Sequence, residues 1–250
     1  MIKKSFLSDQ CKEIILGSLL GNGSLKIRKP EKNAQFSFRH LIRQKEYFFW
    51  KVEQLKEISS ESCWWEQKKN GLEGEMLRYQ SLALPALTEI YKLTHKKNKL
   101  AIRRKWLNQM SLLSLAVWWL DSGSIINNGR KGVFCTDRFS YKEQEILARY
   151  LKVVWRINVH LGKIKRRRDG KEVEYYRLWL RASEELKKFL RIILPFVKVK
   201  EMLPKVILLY TDSQLQQRWI SEVSQLTGFS QTIIRKYVIE KKSKWQYFRK

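Results

Sequence analysis

"GSLLGNGSL", residues 17–25, returns one hundred positions later as "VWWLDSGSI", residues 117–125. Each copy ends an apolar run on a glycine, Gly23 or Gly123, directly after a small neutral residue, Asn22 or Ser122. Apolar periodicity upstream of each tip reads as a buried helix stopped by a turn. Gly17 and Gly21 are four residues apart, so they share a helix face that a second helix can approach closely. Val117 and Asp121 take those places in the second copy, so the seam need not be symmetric.

Outward from these tips, one order of elements is predicted twice. In the first half, a helical pattern over Ser8–Leu20 leads into two alternating stretches, Ser24–Arg28 and Gln35–His40. The run "KEYFFWKVEQLKEI" (45–58) follows with helical spacing. A hairpin is expected in "CWWEQKKNGLEGEMLRYQSL" (63–82), turning at Asn70-Gly71, and then a basic helical stretch from Leu84 to about Met110. The second half repeats the order with a helix at Leu112–Leu120 and a hairpin in "SIINNGRKGVFCTDRF" (124–139), turning at Asn128-Gly129. The helix "KEQEILARYLKVVW" (142–155) comes next. A second hairpin, "INVHLGKIKRRRDGKEVEYYRLWLRA" (157–182), turns at Asp169-Gly170. "SEELKKFLRIILPFV" (183–197) closes the half, with Ser183 as expected N-cap and Glu184 and Glu185 in the first turn. The fold class is α+β: two αββαββα halves, 1–110 and 111–213, plus a basic tail, 214–250.

Composition narrows the function. Lysine and arginine total 51 against 24 aspartate and glutamate, a net charge of +27 spread along the 250 residues. Such a field attracts polyanions and makes binding salt-dependent, so nucleic acid is the expected partner and an anionic membrane surface the competitor. A hydrophobic fraction of 44% with ten tryptophans suits a packed core. No apolar run is long enough to span a bilayer, and "MIKKSFLSDQ" carries no secretion signal, so an intracellular, non-secreted protein is expected. Cys11, Cys63 and Cys135, with His40, His95 and His160, are too scattered for zinc or a disulfide framework.

Alternation places Lys26 with Arg28 on one strand face, and Lys163 with Lys165 and Arg167 on another. A twisted sheet with basic side chains on one face fits a major groove.

"ILGSLLGNGSL" (15–25) and "LAVWWLDSGSI" (115–125) resemble the paired motifs of LAGLIDADG homing endonucleases in their single-chain, two-motif form. "FRHLIRQKEYFFW" (38–50) and "GVFCTDRFSYKEQEILARYL" (132–151) are similar to the family's strand-to-helix passages. "PFVKVKEMLPK" (195–205) is similar to its closing segment. The resemblance covers roughly residues 8–210. It implies two pseudo-symmetric halves forming a saddle-like antiparallel surface for double-stranded DNA, with the motif helices side by side. It also implies an acid at each helix tip holding Mg²⁺, which activates water and stabilises the leaving oxygen.

The acids are replaced here. The final Asp of the motif falls on Asn22 and on Ser122, so these are the candidate catalytic and metal positions. An amide carbonyl is a neutral ligand and a hydroxyl a poor one, so Mg²⁺ binding is doubtful. Asp121 is adjacent to Ser122, but one residue turns about 100° around a helix, so it should not substitute. The resemblance also implies a basic residue near each scissile phosphate. Lys99 and Lys205 fit, with Lys97 and Lys200 as neighbours, although Pro204 stands where the family more often has an aromatic residue.

The candidate DNA-contacting residues are Lys26, Arg28, Arg39, Gln67, Lys68, Arg78, Arg130, Arg138, Lys163, Lys165 and Arg167. In the tail, "WISEVSQLTGFSQTIIRKYVIEKK" (219–242) reads as a helix-turn-helix. Ile220, Val223 and Leu226 form a stripe, Gly228 sits at the turn, Ser230 caps, and Ile233, Ile234 and Tyr237 face inward. Gln231, Thr232, Arg235 and Lys236 are then the expected groove-facing residues. The expected function is sequence-specific duplex DNA binding by a monomer with cleavage impaired or lost. The alternatives are an active Mg²⁺-dependent homing endonuclease, a maturase bound to group I intron RNA, and a transcriptional regulator.

Overall fold

Ser8 supplies the first cap: its hydroxyl accepts the Cys11 amide at 3.2 Å, and helix α1 (Asp9–Leu20) begins directly after it. The structure is a computed structural model that describes residues 6–68, 74–126, 129–168 and 170–247. Asn70-Gly71, Asn128 and Asp169, expected at hairpin turns, lie outside the described residues. The chain forms two compact units, Met1–Asp121 and Ser122–Lys250.

In the first unit, β1 (Gly23–Ile27), β2 (Ala34–Leu41), β3 (Trp64–Gln67) and β4 (Met76–Gln80) form an antiparallel sheet in the order β1-β2-β4-β3. Leu25, Phe36, Phe38, Leu77 and Tyr79 are all at most 3% exposed, so one face of this sheet is core. Helix α2 (Lys45–Gln54) buries Tyr47, Phe48 and Lys51, and a 3-10 turn (Lys56–Ile58) follows it.

The helix expected from Leu84 to Met110 is broken. Helix α3 (Pro85–Thr94) ends at an extended His95, and β5 (His95–Lys96) pairs with β6 (Lys99–Leu100). Lys97 (φ 49°) and Asn98 (φ 60°) make the tight left-handed turn between them, and α4 (Arg104–Leu107) is a single turn. Basic composition could not reveal this two-residue turn, because neither Lys nor Asn is a strong enough breaker to read from sequence.

Helix α5 (Leu112–Ser122) carries the second motif, and its residues up to Asp121 pack within the first unit. A Cβ on Gly17 would lie 2.3 Å from the Ser114 carbonyl oxygen, and one on Gly21 would lie 2.3 Å from the Asp121 Cβ. Any side chain at either position would collide with α5, so the two glycines set how closely α1 approaches it. Ser114 Oγ donates to the Glu13 carbonyl at 2.8 Å, and its small size completes the seam.

The second unit has the same sheet order. Strands β7 (Gly123–Ile126), β8 (Lys131–Phe134), β9 (His160–Arg168) and β10 (Lys171–Leu180) are arranged β7-β8-β10-β9. Helix α6 (Tyr141–Trp155) starts with a capping box between Ser140 and Glu143. Helix α7 (Ser183–Ile193) takes Ala182 as its N-cap with no side-chain bond, so Ser183 is its first residue and not its cap. Phe134, Leu147, Leu178, Leu180, Phe189 and Leu190 are completely buried together in this unit.

The tail belongs to this unit. Helix α8 (Ser213–Thr227) is capped by Asp212, whose carboxylate accepts the Leu215 amide at 2.7 Å, and it ends at Gly228 (φ 80°). Ser230 Oγ accepts the Ile233 amide at 3.4 Å at the start of α9 (Gln231–Tyr247). Ile220, Val223, Ile234 and Val238 are buried along these two helices, while Leu226, Ile233 and Tyr237 are half-buried. No helix among the described residues is long and apolar enough to cross a membrane.

Lys241 anchors α9. Its Nζ donates to the Pro204 and Ile207 carbonyls, each at 2.7 Å, and burial pushes the amine down to about 7. An unfolded lysine titrates near about 10.4, so above pH 7 the unfolded chain keeps a proton that the folded chain releases. The stability contributed at this site therefore rises with pH across that window. Urea midpoints of the wild type should climb from neutral to mildly alkaline pH relative to those of Lys241→Met. Parallel slopes would refute the coupling.

Candidate nucleic-acid interface and motif tips

The first motif tip is tied to the last residue of the first unit. The Asn22 backbone N–H donates to Asp121 Oδ2 at 3.2 Å, and the Asn22 side-chain amide donates to the Asp121 carbonyl at 3.4 Å. The Asp121 carboxylate is wholly enclosed. Lys51 Nζ donates to its two oxygens at 3.2 and 3.1 Å, Tyr47 OH donates to Oδ1 at 3.0 Å, and His40 Nε2 lies 3.6 Å from Oδ1. Tyr47 and Lys51 are one helical turn apart on α2 and so point together, while His40 comes from β2. Lys51 Nζ also sits 4.3 Å from the Phe38 ring centroid.

This enclosure fixes the charge states. Burial alone would raise the Asp121 carboxyl, but Lys51, then His40 and the hydrogen bonds hold it below the usual carboxylate range. Burial lowers the Lys51 amine, and Asp121 partly offsets that. Burial, reinforced by Asp121, drives the Tyr47 hydroxyl up, so it stays a donor. A lysine inside the aromatic run "YFFWKV" was the available sequence signal, and it reads more readily as a solvated helix face than as the partner of a carboxylate 70 residues away.

These donors do not fit a hard divalent cation. Asn22 is exposed but neutral, Ser122 is half-buried and neutral, and both carboxylate oxygens of Asp121 are engaged by Lys51. Among the described residues, no group of three or more His, Cys, Asp or Glu could hold a metal ion. Mg²⁺ requires near-octahedral oxygen ligands with charge to match, which this tip does not offer.

The outer face of the first sheet is mostly polar, with Trp65, Leu41 and Met76 as its apolar members. Ser24 and Lys26 on β1 lie opposite Ser37 and Gln35 on β2, and Arg39 lies opposite Arg78 on β4, which lies opposite Trp65 on β3. Asn22, Lys26, Arg28, Arg39, Arg78 and Gln80 line one concavity with Trp65. Arg28 Nη1 donates to Gln80 Oε1 at 3.4 Å, and Arg78 Nε donates to Gln67. Trp65 is 44% exposed on the edge strand of this face. Trp65, Gln35 and Gln80 are not legible as candidates from the sequence, because only the register brings them beside the arginines. Lys68 is exposed just after β3.

The second sheet differs. Lys163, Lys165 and Arg167 share a face, as their alternation predicts, but it is the face of Leu161 and Leu178, toward the helices. Lys163 pairs with Glu174 and Lys165 with Glu172 across the strands. The opposite face presents Ile164, Arg166, Val173, Tyr175, Arg177 and Trp179. Arg177 Nη2 donates to Asp137 Oδ2 at 2.6 Å, and Arg166 Nη1 lies 3.2 Å from the same oxygen. Arg130 is exposed in the turn between β7 and β8, and the Arg138 guanidinium lies over the Phe139 ring at 4.8 Å.

Lys99 is exposed on β6 beside the left-handed turn, in the first unit. Lys205 is half-buried at the end of a 3-10 helix, Lys200–Lys205, in the second. In the tail, Thr232 and Lys236 are exposed on α9. Gln231 bonds to Gln217 and Ser221 on α8, and Arg235 donates to Gln217 at 2.9 Å, so these two are positioned by the preceding helix.

Residues 12–189 match the LAGLIDADG DNA endonuclease family, which is most of the chain and includes both motif helices. The chain belongs to this family. Among curated relatives, RecA from Mycobacterium gastri is 35% identical over 121 residues, 47% of this chain but 27% of that protein. RecA from Mycolicibacterium fallax is 27% identical over 173 residues, 64% of this chain and 39% of that one. The chain thus spans well under half the length of these RecA proteins. DNA endonuclease I-ChuI from Chlamydomonas applanata is 25% identical over 183 residues, 66% of this chain and 81% of its own. The homing endonuclease I-WcaI bound to its DNA recognition sequence has the same fold. It aligns with a TM-score of 0.68 and 21% identity, over 82% of this chain and 89% of its own.

Proposed function

We propose that this LAGLIDADG homing endonuclease family member binds double-stranded DNA sequence-specifically through its two outer sheet faces, and that cleavage is impaired. The observation that carries this reading is the enclosed Asp121: its carboxylate, bonded to the Asn22 backbone, is held by Lys51 and Tyr47, and Asn22 and Ser122 are neutral. Binding is supported by the +27 charge, by the polar face around Arg39 and Arg78, and by the DNA in the I-WcaI structure. Affinity comes largely from lysines and arginines on phosphates, and specificity from the sheet side chains. Helices α8 and α9 act as a helix-turn-helix that presents Thr232 and Lys236, with Gln231 and Arg235 braced from α8.

Two assays test this. Duplex affinity should fall steeply with salt, the slope being about 0.9 per phosphate neutralised. A plasmid carrying the tightest-binding duplex selected from a randomised pool should stay uncut in Mg²⁺ or Mn²⁺. Cutting that disappears in the Asn22→Ala, Ser122→Ala double variant would overturn the impaired reading. Tight RNA binding with weak duplex binding at matched salt would replace the DNA reading with a maturase.

A further inference from the structure

The two sheets offer DNA different chemistry. On the first, outward positions carry amides and guanidiniums, among them Gln35, Arg39, Gln67, Arg78 and Gln80. Such groups read guanine and adenine edges by paired hydrogen bonds. The outward positions of the second sheet carry few comparable groups.

β10 pairs with β8 only over Leu178–Leu180, so the rest of β9 and β10 runs on as a two-stranded ribbon. Helix α6 lies against one side of it. The Tyr141 ring meets the Tyr176 ring edge-on at 4.9 Å, and Gln144 Nε2 donates to the Tyr176 carbonyl at 2.8 Å. On that side the lysines are balanced by glutamates, as Lys163 is by Glu174 and Lys165 by Glu172. The other side is mostly apolar and partly accessible. Ile164 lies directly opposite Tyr175, and Arg166 opposite Val173, all at least partly accessible. Its arginines are not free to read guanine, since Asp137 engages both Arg166 and Arg177. Trp179 extends the apolar strip beside Gly162, where a Cβ would come within 2.4 Å of the indole nitrogen.

We propose that this ribbon enters the major groove and reads thymine C5-methyl groups through Ile164, Val173 and Tyr175. The proposal rests on the DNA-binding reading above. A two-stranded ribbon fits the groove, and among base edges there the thymine methyl is the apolar group available. The occupant is a polyanion because the chain carries +27, with Arg166 exposed on the same side of the ribbon. An apolar protein partner would gain nothing from that charge. The target is therefore unequal in character: hydrogen-bond readout under the first sheet and a thymine-rich tract under the second.

The test uses the whole purified chain and duplexes selected from a randomised pool. The selected sites should share a thymine-rich tract, and replacing its thymines with uracil should weaken binding about four-fold per methyl, the equivalent of ~0.8 kcal/mol. Uracil elsewhere in the site should change affinity less than about two-fold, within the cost of a non-contacted position. An Ile164→Ser, Val173→Ser double variant should still bind duplex in a salt-dependent way but lose most of the uracil penalty, keeping only the share that Tyr175 carries. The proposal is overturned if uracil has no effect in the wild type, if the penalty survives undiminished in the double variant, or if the matching RNA binds more tightly than the duplex. Salt-dependent duplex binding that ignores the methyls sinks this inference alone. Absence of all duplex binding sinks the DNA reading with it. Uracil substitution needs only the wild-type protein, so a misfolded variant cannot mask the outcome.

Discussion

Replacing Lys51 with methionine lowers the stability of the first unit by about 3–5 kcal/mol, the usual cost of leaving one member of a buried ion pair alone. Methionine keeps most of the lysine's length and its contact with the Phe38 ring, so the loss reports on charge more than on volume. Asp121 would retain the Tyr47 hydroxyl and the Asn22 amide but no adjacent lysine. Lys51→Met with Asp121→Asn should recover about 1–3 kcal/mol, because a neutral amide can keep the Tyr47 bond without a buried charge. The acid response gives the sign. Asp121 is held below its ordinary range, so its contribution is full above the unfolded value of about 3.9 and is lost as pH falls through the folded value. In Lys51→Met the carboxyl rises, and unfolding on acidification should begin at higher pH than in the wild type. Urea melts followed by tryptophan fluorescence across pH measure both effects. A loss under about 1 kcal/mol with an unchanged acid midpoint would show that water reaches the pair.

The sequence carried the helix tips, the hairpins and most of the order of elements, because those rest on local signals. Ser8 before an apolar helix and alternation through Gln35–His40 need no knowledge of what lies across the core. What it could not carry depends on contacts distant in the chain. Alternation put Lys163, Lys165 and Arg167 on one face but could not say which, since that depends on whether Leu161 or Ile164 meets the helices. Glu172 and Glu174 held the missing clue: glutamates spaced to meet those lysines across an antiparallel turn predict a self-neutralised side. Lys51 is hidden for the same reason, because a lone lysine on an aromatic helix becomes legible only once Asp121 is placed beside it. The left-handed Lys97-Asn98 turn escaped because pattern favours continuing a basic helix over stopping it. The Ser183 cap missed by one residue, the ordinary uncertainty of a helix end.

Restoring acids at both tips, Asn22→Asp with Ser122→Asp, should produce the largest gain of any change in this chain. A carboxylate supplies the charge that an amide and a hydroxyl lack, so calorimetry should detect Mg²⁺ binding to the double variant where the wild type gives no heat. On the selected site, cleavage of a plasmid should rise by about 10²–10³-fold over the wild type, the scale of removing or supplying one strong electrostatic element at a reacting centre. The structure sets the cost of this change. Asn22 loses the 3.4 Å bond from its amide to the Asp121 carbonyl, a long bond worth about 1 kcal/mol or less. Its backbone donation to Asp121 Oδ2 is independent of the side chain and survives. The new carboxylate at position 22 is exposed, so repulsion from Asp121 is screened by solvent and offset by Lys51. At position 122 the backbone carbonyl accepts the Cys135 amide at 3.0 Å, a bond that substitution of the side chain leaves alone. Binding heat without cleavage would mean that a basic residue such as Lys99 or Lys205 is no longer positioned for chemistry. No heat at all would mean that Asp121 and its enclosure have moved the tip away from any metal geometry. If the unaltered chain already cuts, and the Asn22→Ala, Ser122→Ala pair abolishes it, the neutral tips are themselves the catalytic arrangement.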